Sequence, residues 1–210
     1  MRALVLVALA QLCGCALVSK AEPLEVRYLA PPLSAPAASA AAPGGGAPSA
    51  ARPLLRLRRV AAAEHLRQRL VVAISRNVYR QDDARSWTEE PAGYLETALG
   101  RALYEGGPFR RALGEGAPEL EVELQAFELA GEPVGEDEPP RLRARVEVRL
   151  LLGDGRVALR EETLAAERKL ADEAAGDAIA AAMGEALAEV VQGVVQRTQA
   201  AVVAAPPGAR

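Results

Sequence analysis

The stretch Glu119-Leu120-Glu121-Val122-Glu123-Leu124-Gln125-Ala126-Phe127-Glu128-Leu129 decides the fold class. From 119 to 126 polar and apolar residues alternate, the period of a strand with one face buried and the other in water. Phe127 and Leu129 fall on the opposite parity, and a β-bulge near Ala126 would return them to the buried face. Beyond an acidic loop, GEPVGEDEPP, the same alternation resumes at Leu142, Ala144, Val146, Val148, Leu150 and Leu152. Gly153-Asp154-Gly155 reads as a hairpin turn, with Val157 and Leu159 opening the return strand.

Working outward, Asp172 to Gln199 reads as one long helix. Ile179, Met183, Leu187, Val190 and Val194 form a single apolar stripe, widened by Val191 and Val195, so this helix should lie across a sheet. Towards the N-terminus, Leu55 and Leu57 alternate with Arg56 and Arg58, and Leu70, Val72 and Ile74 alternate again. Ala61 to Leu66 could form one short helical turn holding His65, and Val78-Tyr79 could extend or pair with the preceding strand. Pro91 suits the first turn of a helix whose apolar side is Leu95, Ala98, Leu99, Ala102 and Leu103. Ser86, Thr88, Glu89 and Glu90 offer capping oxygens before it, and Gly106-Gly107-Pro108 ends it. These elements predict an α/β (α+β) sandwich: a mainly antiparallel sheet with two long helices on one face and a single core.

Composition excludes several function classes. The 210 residues hold two Cys, at 13 and 15, and one His, at 65. That is too few for a Cys/His zinc site or a disulfide framework. A net charge of -3 argues against nucleic-acid binding. No G-x-S-x-G, phosphate-binding loop or H-E-x-x-H occurs, so no cofactor, no metal and no catalytic residue is expected. His65, among Glu64, Arg67 and Arg69, reads as an exposed surface residue. Glu119, Glu121 and Glu123 read as a solvated strand face, and Glu136-Asp137-Glu138 lacks the spaced oxygens of a calcium loop.

The N-terminus carries Met1-Arg2, an apolar run from Ala3 to Ala10, and Leu12-Cys13-Gly14-Cys15. The run is too short for a transmembrane helix and has the flanks of a secretory signal. The four residues 12–15 resemble a bacterial lipobox with Cys15 as the lipidated residue; an ordinary cleaved signal with two incidental Cys is the alternative. Cys13 is the poorer acceptor because bulky Leu12 precedes it. Ala16, where Asp would retain a lipoprotein at the inner membrane, leans towards an outer-membrane anchor facing the periplasm. Residues 30–51, nearly all Ala, Pro, Gly and Ser, read as a tether of up to about 70 Å. The expected organisation is therefore a lipoprotein signal peptide at 1–14, a lipidated N-terminus and tether at 15–53, one domain at 54–200 and a frayed tail at 201–210.

The segment Val78-Tyr79-Arg80-Gln81-Asp82-Asp83-Ala84-Arg85-Ser86-Trp87-Thr88-Glu89-Glu90-Pro91 holds the only Trp and dense charge in what read as flexible turns. Trp87 is either a binding anchor or an aromatic plug between strand and helix, and Tyr79 and Arg80 are candidate contacts or structural residues. The lipobox, the early Tyr28-Leu29, the strand with Val78-Tyr79-Arg80, the Trp87-x-Glu89-x-Pro91 order and the helix with Leu95-x3-Leu99 come in sequence. In that order they resemble the ABC-type transport auxiliary lipoprotein family, the envelope lipoproteins that accompany mammalian-cell-entry type lipid transporters. The likeness spans most of 54–200 and is most specific over 70–103. It implies a fold like the N-terminal domain of TolB and a non-catalytic role beside a periplasmic substrate-binding protein and its ABC transporter, with self-association left open. The alternative is a structural or assembly lipoprotein of the outer membrane. The stretch between Leu29 and Pro53 is long for the family.

Overall fold

The computed structural model describes residues 24–33, 52–75, 77–114, 116–132, 141–153, 157–171 and 174–204. Cys15, the predicted signal, the acidic loop at 133–140, the turn at 154–156 and residues 205–210 lie outside them. The chain order is β1 (Arg27–Leu29), β2 (Leu54–Ala62), β3 (Arg69–Ser75), β4 (Val78–Trp87), α1 (Pro91–Tyr104), β5 (Arg110–Arg111), β6 (Glu119–Glu132), β7 (Arg141–Gly153), β8 (Ala158–Lys169) and α2 (Gly176–Ala204).

The alternating stretch is β6, the strand around which the sheet is organised. Its register against β7 shifts between Leu124 and Ala126, where the change of parity placed a bulge. The shift returns Phe127 and Leu129 to the core beside Leu120, Val122 and Leu124. One edge of β6 pairs with antiparallel β7, which pairs in turn with antiparallel β8. The other edge is covered by two successive parallel segments, β2 against 119–124 and β3 against 128–130. β4 is antiparallel to β3, while β1 and β5 add parallel edges to β4 and β2.

The sheet is thus mixed, which corrects the mainly antiparallel expectation. The physical reason is the connection from β3 to β6, which passes through β4, α1 and β5. A crossover carrying a helix returns the chain in the same direction, whereas hairpins cannot. Alternation reports which face a residue occupies and is silent about the direction of the neighbouring strand.

Both helices lie on one face. The apolar stripe of α2, Ile179, Met183, Leu187, Val190 and Val194, is buried over β7 and β8. This helix is long and apolar enough to cross a membrane, yet that stripe is already covered by the sheet. It extends to Ala204, so the predicted tail from 201 is helical for its first turn. The shorter α1 has Pro91 in its first turn and ends before Gly106, whose φ of +82° only glycine adopts freely. No side chain caps its start; Thr88 Oγ1 lies 2.7 Å from the Tyr94 hydroxyl, which also accepts the Glu89 N–H. Tyr104 fixes α1 to β2: its hydroxyl accepts the Leu57 N–H at 2.9 Å and donates to the Leu55 carbonyl. Burial raises the pKa of Tyr104, opposed by the Leu57 bond and the nearby Arg111 guanidinium.

Residues 30–33 depart from the tether reading, following directly on β1. β1 pairs with the end of β4, Leu29 accepts the Thr88 N–H at 3.0 Å, and Leu29 and Pro31 are buried. The segment runs over α2 at two glycines. A Cβ on Gly176 would stand 2.8 Å from Leu29 Cδ2, and one on Gly184 would stand 2.7 Å from the Pro32 carbonyl oxygen. Residues 24–33 form a strap seated in a glycine notch. Residues 34–51 lie in the chain between β1 and β2, two strands of one sheet. Proline-rich composition disfavours helix and central strand, but it does not prevent extended packing against an existing surface.

Candidate interaction surfaces

The charged segment before α1 is strand β4, not a pair of turns. Between the pairs Val71–Gln81 and Arg69–Ser86, three more residues lie on β4 than on β3, forming a wide bulge. Asp82 holds it: one carboxylate oxygen accepts the Ala84 N–H and the other the Arg85 Nε–H, both at 2.9 Å. Beyond the bulge the strand ends at Trp87, whose N–H donates to the Gln68 carbonyl. The indole is fully buried, edge-on to Phe127 at 5.0 Å, and its Nε1 has no hydrogen-bond partner. Trp87 therefore offers no surface to a partner.

At the other end of β4 the chain exposes apolar side chains. Ile74 is 58 % exposed, Val78 52 % and Tyr79 45 %. Ile74 continues the alternation of Leu70 and Val72, but it stands at the end of β3, where burial stops after Ala73. Tyr79 stacks on His65 at 4.6 Å between ring centres. His65 is accordingly half-buried, with Nε2 enclosed and unpartnered, and not the exposed residue its polar neighbours suggested. Arg80 is exposed beside them. The structure thus gathers Tyr79, Arg80, Ile74 and Val78 at one hairpin tip and places Trp87 in the core away from them. The signal for Ile74 and Val78 was their position flanking the turn of a short hairpin.

The helix-free face of the sheet is polar. Arg56 and Arg58 of β2 pair with Glu119 at 2.8 and 3.4 Å, and Arg58 reaches Glu121 at 2.8 Å. Arg149 pairs with Glu161, and Arg143 with Glu167 at 3.2 Å. A depression of about 300 Å³ opens here beside Arg59, Glu121, Glu123 and Arg149. Exposed pairs of this kind contribute at most about 1 kcal/mol each and mainly keep the face wetted. Among the described residues no three His, Cys, Asp or Glu side chains are grouped to hold a metal ion.

Glu128 is the exception on this face. It is 2 % exposed, 3.6 Å from Arg145, and its Oε2 has no hydrogen-bond partner. Burial raises its pKa, Arg145 opposes that, and Glu147 adds to it. A raised carboxylate favours the folded state while protonated, below the unfolded value of about 4.3, and that contribution is lost as pH rises through the folded value. Glu128→Gln removes the titration while Arg145 keeps Glu147 as a partner. The variant should match the parent near pH 4 and exceed it in urea midpoint at pH 7. An equal difference at both pH values would refute this account.

The fold is shared with solved structures. A crystal structure of protein XCC0632 from Xanthomonas campestris, assigned to the DUF330 family, matches with a TM-score of 0.61 at 19 % identity, covering 85 % of this chain and 94 % of that one. An uncharacterized protein matches with a TM-score of 0.55 at 17 % identity, covering 69 % and 91 %. No curated protein matches the chain. The family model described as the ABC-type transport auxiliary lipoprotein component matches residues 32–195, from the strap at Pro32 through most of α2. Since that match takes in most of the 210 residues, the chain belongs to the ABC-type transport auxiliary lipoprotein family.

Proposed function

We propose that the protein is a lipid-anchored, non-catalytic adaptor of a mammalian-cell-entry type ABC system that moves lipid between the bacterial membranes. Cys15 would carry the acyl chains in the outer membrane, and the domain would face the periplasm. The observation that carries the reading beyond family membership is the β3–β4 hairpin tip. It presents Ile74, Val78 and Tyr79 with Arg80, next to a β4 edge that, among the described residues, β1 covers only at 85–87. Apolar side chains beside an open strand edge suit docking by strand addition, with main-chain bonds supplying affinity and side chains selecting the partner.

The strap changes the mechanics of such an anchor. With β1 docked, the chain from Cys15 to Arg27 reaches at most about 40 Å, at roughly 3.3 Å per residue. The anchor then joins the domain at the β4 side of the sheet, where β1 is paired. Several acyl chains, each methylene contributing about 0.8 kcal/mol, make the attachment durable.

The full chain, affinity-captured from native membranes, should bring down a mammalian-cell-entry or ABC component. Tyr79→Ala with Arg80→Ala should reduce that recovery at least about threefold without lowering the thermal midpoint by more than a few degrees. Recovery of neither component by the parent chain would refute the reading. Cys15→Ser should lose both acyl label and membrane partition; a variant that kept them would remove Cys15 as the anchor.

A further inference from the structure

β8 is a twelve-residue edge strand, Ala158–Lys169, that pairs only with β7 among the described residues. Its outer N–H and C=O groups form the long open edge that soluble proteins cover or blunt. Its charges fall in two groups: Arg160, Glu161 and Glu162 in the first half and Glu167, Arg168 and Lys169 at the end, with Thr163, Leu164, Ala165 and Ala166 between. We propose that this edge pairs with the same edge of a second copy, antiparallel and centred on Ala165, making one continuous sheet across two chains.

The register follows from backbone geometry. Successive residues of a strand direct their N–H and C=O alternately to the two edges, so the outward groups of β8 belong to residues of one parity. Two copies related by a two-fold axis can bond only if outward residues oppose outward residues. The axis must therefore pass through a residue and not between two. Centred on Leu164, the pairing sets Arg160 against Arg168 and Glu161 against Glu167, both repulsive. Centred on Thr163, it sets Glu161 against Ala165 and Glu162 against Leu164, with no charge matched. Centred on Ala166, it sets Leu164 against Arg168 and Ala165 against Glu167. Centred on Ala165, it sets Glu161 against Lys169 and Glu162 against Arg168, each twice by symmetry, with Leu164 against Ala166 and small alanines at the axis. Opposite charges directly across two strands stabilise the pairing and like charges oppose it.

The intrachain contacts agree. Lys169 is exposed and has no ion-pair partner among the described residues, whereas Glu161 is tied only to Arg149. Glu162 and Arg168 lie on the helix side with Arg197, Glu185 and Glu189, where a second copy would extend an existing set of ion pairs. The β7–β8 register is unbroken from Arg160 to Lys169, so nothing kinks the edge over the paired length. The self-pairing uses the edge opposite the hairpin tip and leaves β4 open.

The test is a cysteine placed on the axis of the full chain in detergent. Opposed residues of an antiparallel pair have Cα atoms about 4.5 to 5.5 Å apart, within disulfide reach. Ala165→Cys should therefore give a disulfide-linked dimer under mild oxidation, absent from the unaltered chain. Thr163→Cys should not, because the two copies of residue 163 would stand about 13 Å apart. In sedimentation equilibrium Glu161→Lys should weaken self-association about tenfold, and adding Lys169→Glu should restore it. Cross-linking by Thr163→Cys, or none by Ala165→Cys, overturns the proposal, as does a charge reversal that the second substitution fails to rescue.

Discussion

Trp87→Ala is expected to destabilise the domain by about 3–5 kcal/mol, the range for removing a large buried aromatic side chain. Against a total of roughly 5–15 kcal/mol for a domain of this kind, the variant should be marginally folded at 37 °C. The loss has three sources in this structure. The indole fills the space where β4 meets α1, it sits edge-on to Phe127 at 5.0 Å, and through Phe127 it supports the Tyr94 ring, stacked on Phe127 at 6.3 Å. Removing it takes the edge-on ring away from Phe127 and opens a cavity beside Leu29, which pairs with Trp87 across β1 and β4. Trp87→Phe separates packing from polarity. It keeps an aromatic ring and deletes a buried N–H that has no hydrogen-bond partner, so it should cost only about 1–2 kcal/mol. Urea unfolding of the three chains orders them parent, Phe, Ala. A partner anchor would give the reverse pattern: unchanged midpoints with lost recovery of a transport component in both variants.

The residues that made the fold legible were those whose burial depends on local pattern. The parity slip at Ala126 located the bulge, and the stripe from Ile179 to Val194 located the long helix and its inward face. What pattern could not show was adjacency. β2 and β3 both lie along one edge of β6, parallel to it, because a helical crossover intervenes, and no residue in either strand records that. Asp82 reads as one more charge in a polar segment, yet its two bonds to Ala84 and Arg85 shape the strand that delivers Trp87 to the core. The candidate surface was half legible. Tyr79 and Arg80 stand out in the segment that leads to Trp87, while the alternation of Leu70 and Val72 runs on to Ile74, past the last buried residue of its strand. For residues 30–33 composition pointed the wrong way. The informative residues are on the other partner: glycines at 176 and 184, where the strap crosses the helix too closely for a Cβ, as it does not at Gly193.

That close crossing yields a prediction whose sign is diagnostic. In a helix interior Gly→Ala normally stabilises by about 1 kcal/mol. Gly184→Ala should instead destabilise, because its Cβ would meet the Pro32 carbonyl oxygen at 2.7 Å, Cδ at 2.8 Å and Cγ at 2.9 Å. These are backbone and ring atoms of a strap held by β1 pairing and by the Thr88–Leu29 bond, so they cannot turn aside as the end of a flexible side chain would. Overpacking of this kind costs about 1–3 kcal/mol, enough to outweigh the gain in helix propensity. Gly193→Ala is the matched control. There the new Cβ would meet only Leu164 Cδ1, at 3.2 Å, a methyl that can rotate, so the propensity term should prevail. The expected result is a thermal midpoint lowered by about 2–8 °C for Gly184→Ala and unchanged or raised for Gly193→Ala. Amide exchange should quicken at Thr88 in the first variant only, since its N–H is bonded to the strap. Equal midpoints for the two variants, or unaltered exchange at Thr88 in Gly184→Ala, would mean that the strap is not seated on α2. The short link from Cys15 to the fold would then lose its basis, and the stretch to Pro53 would again have to be counted as reach.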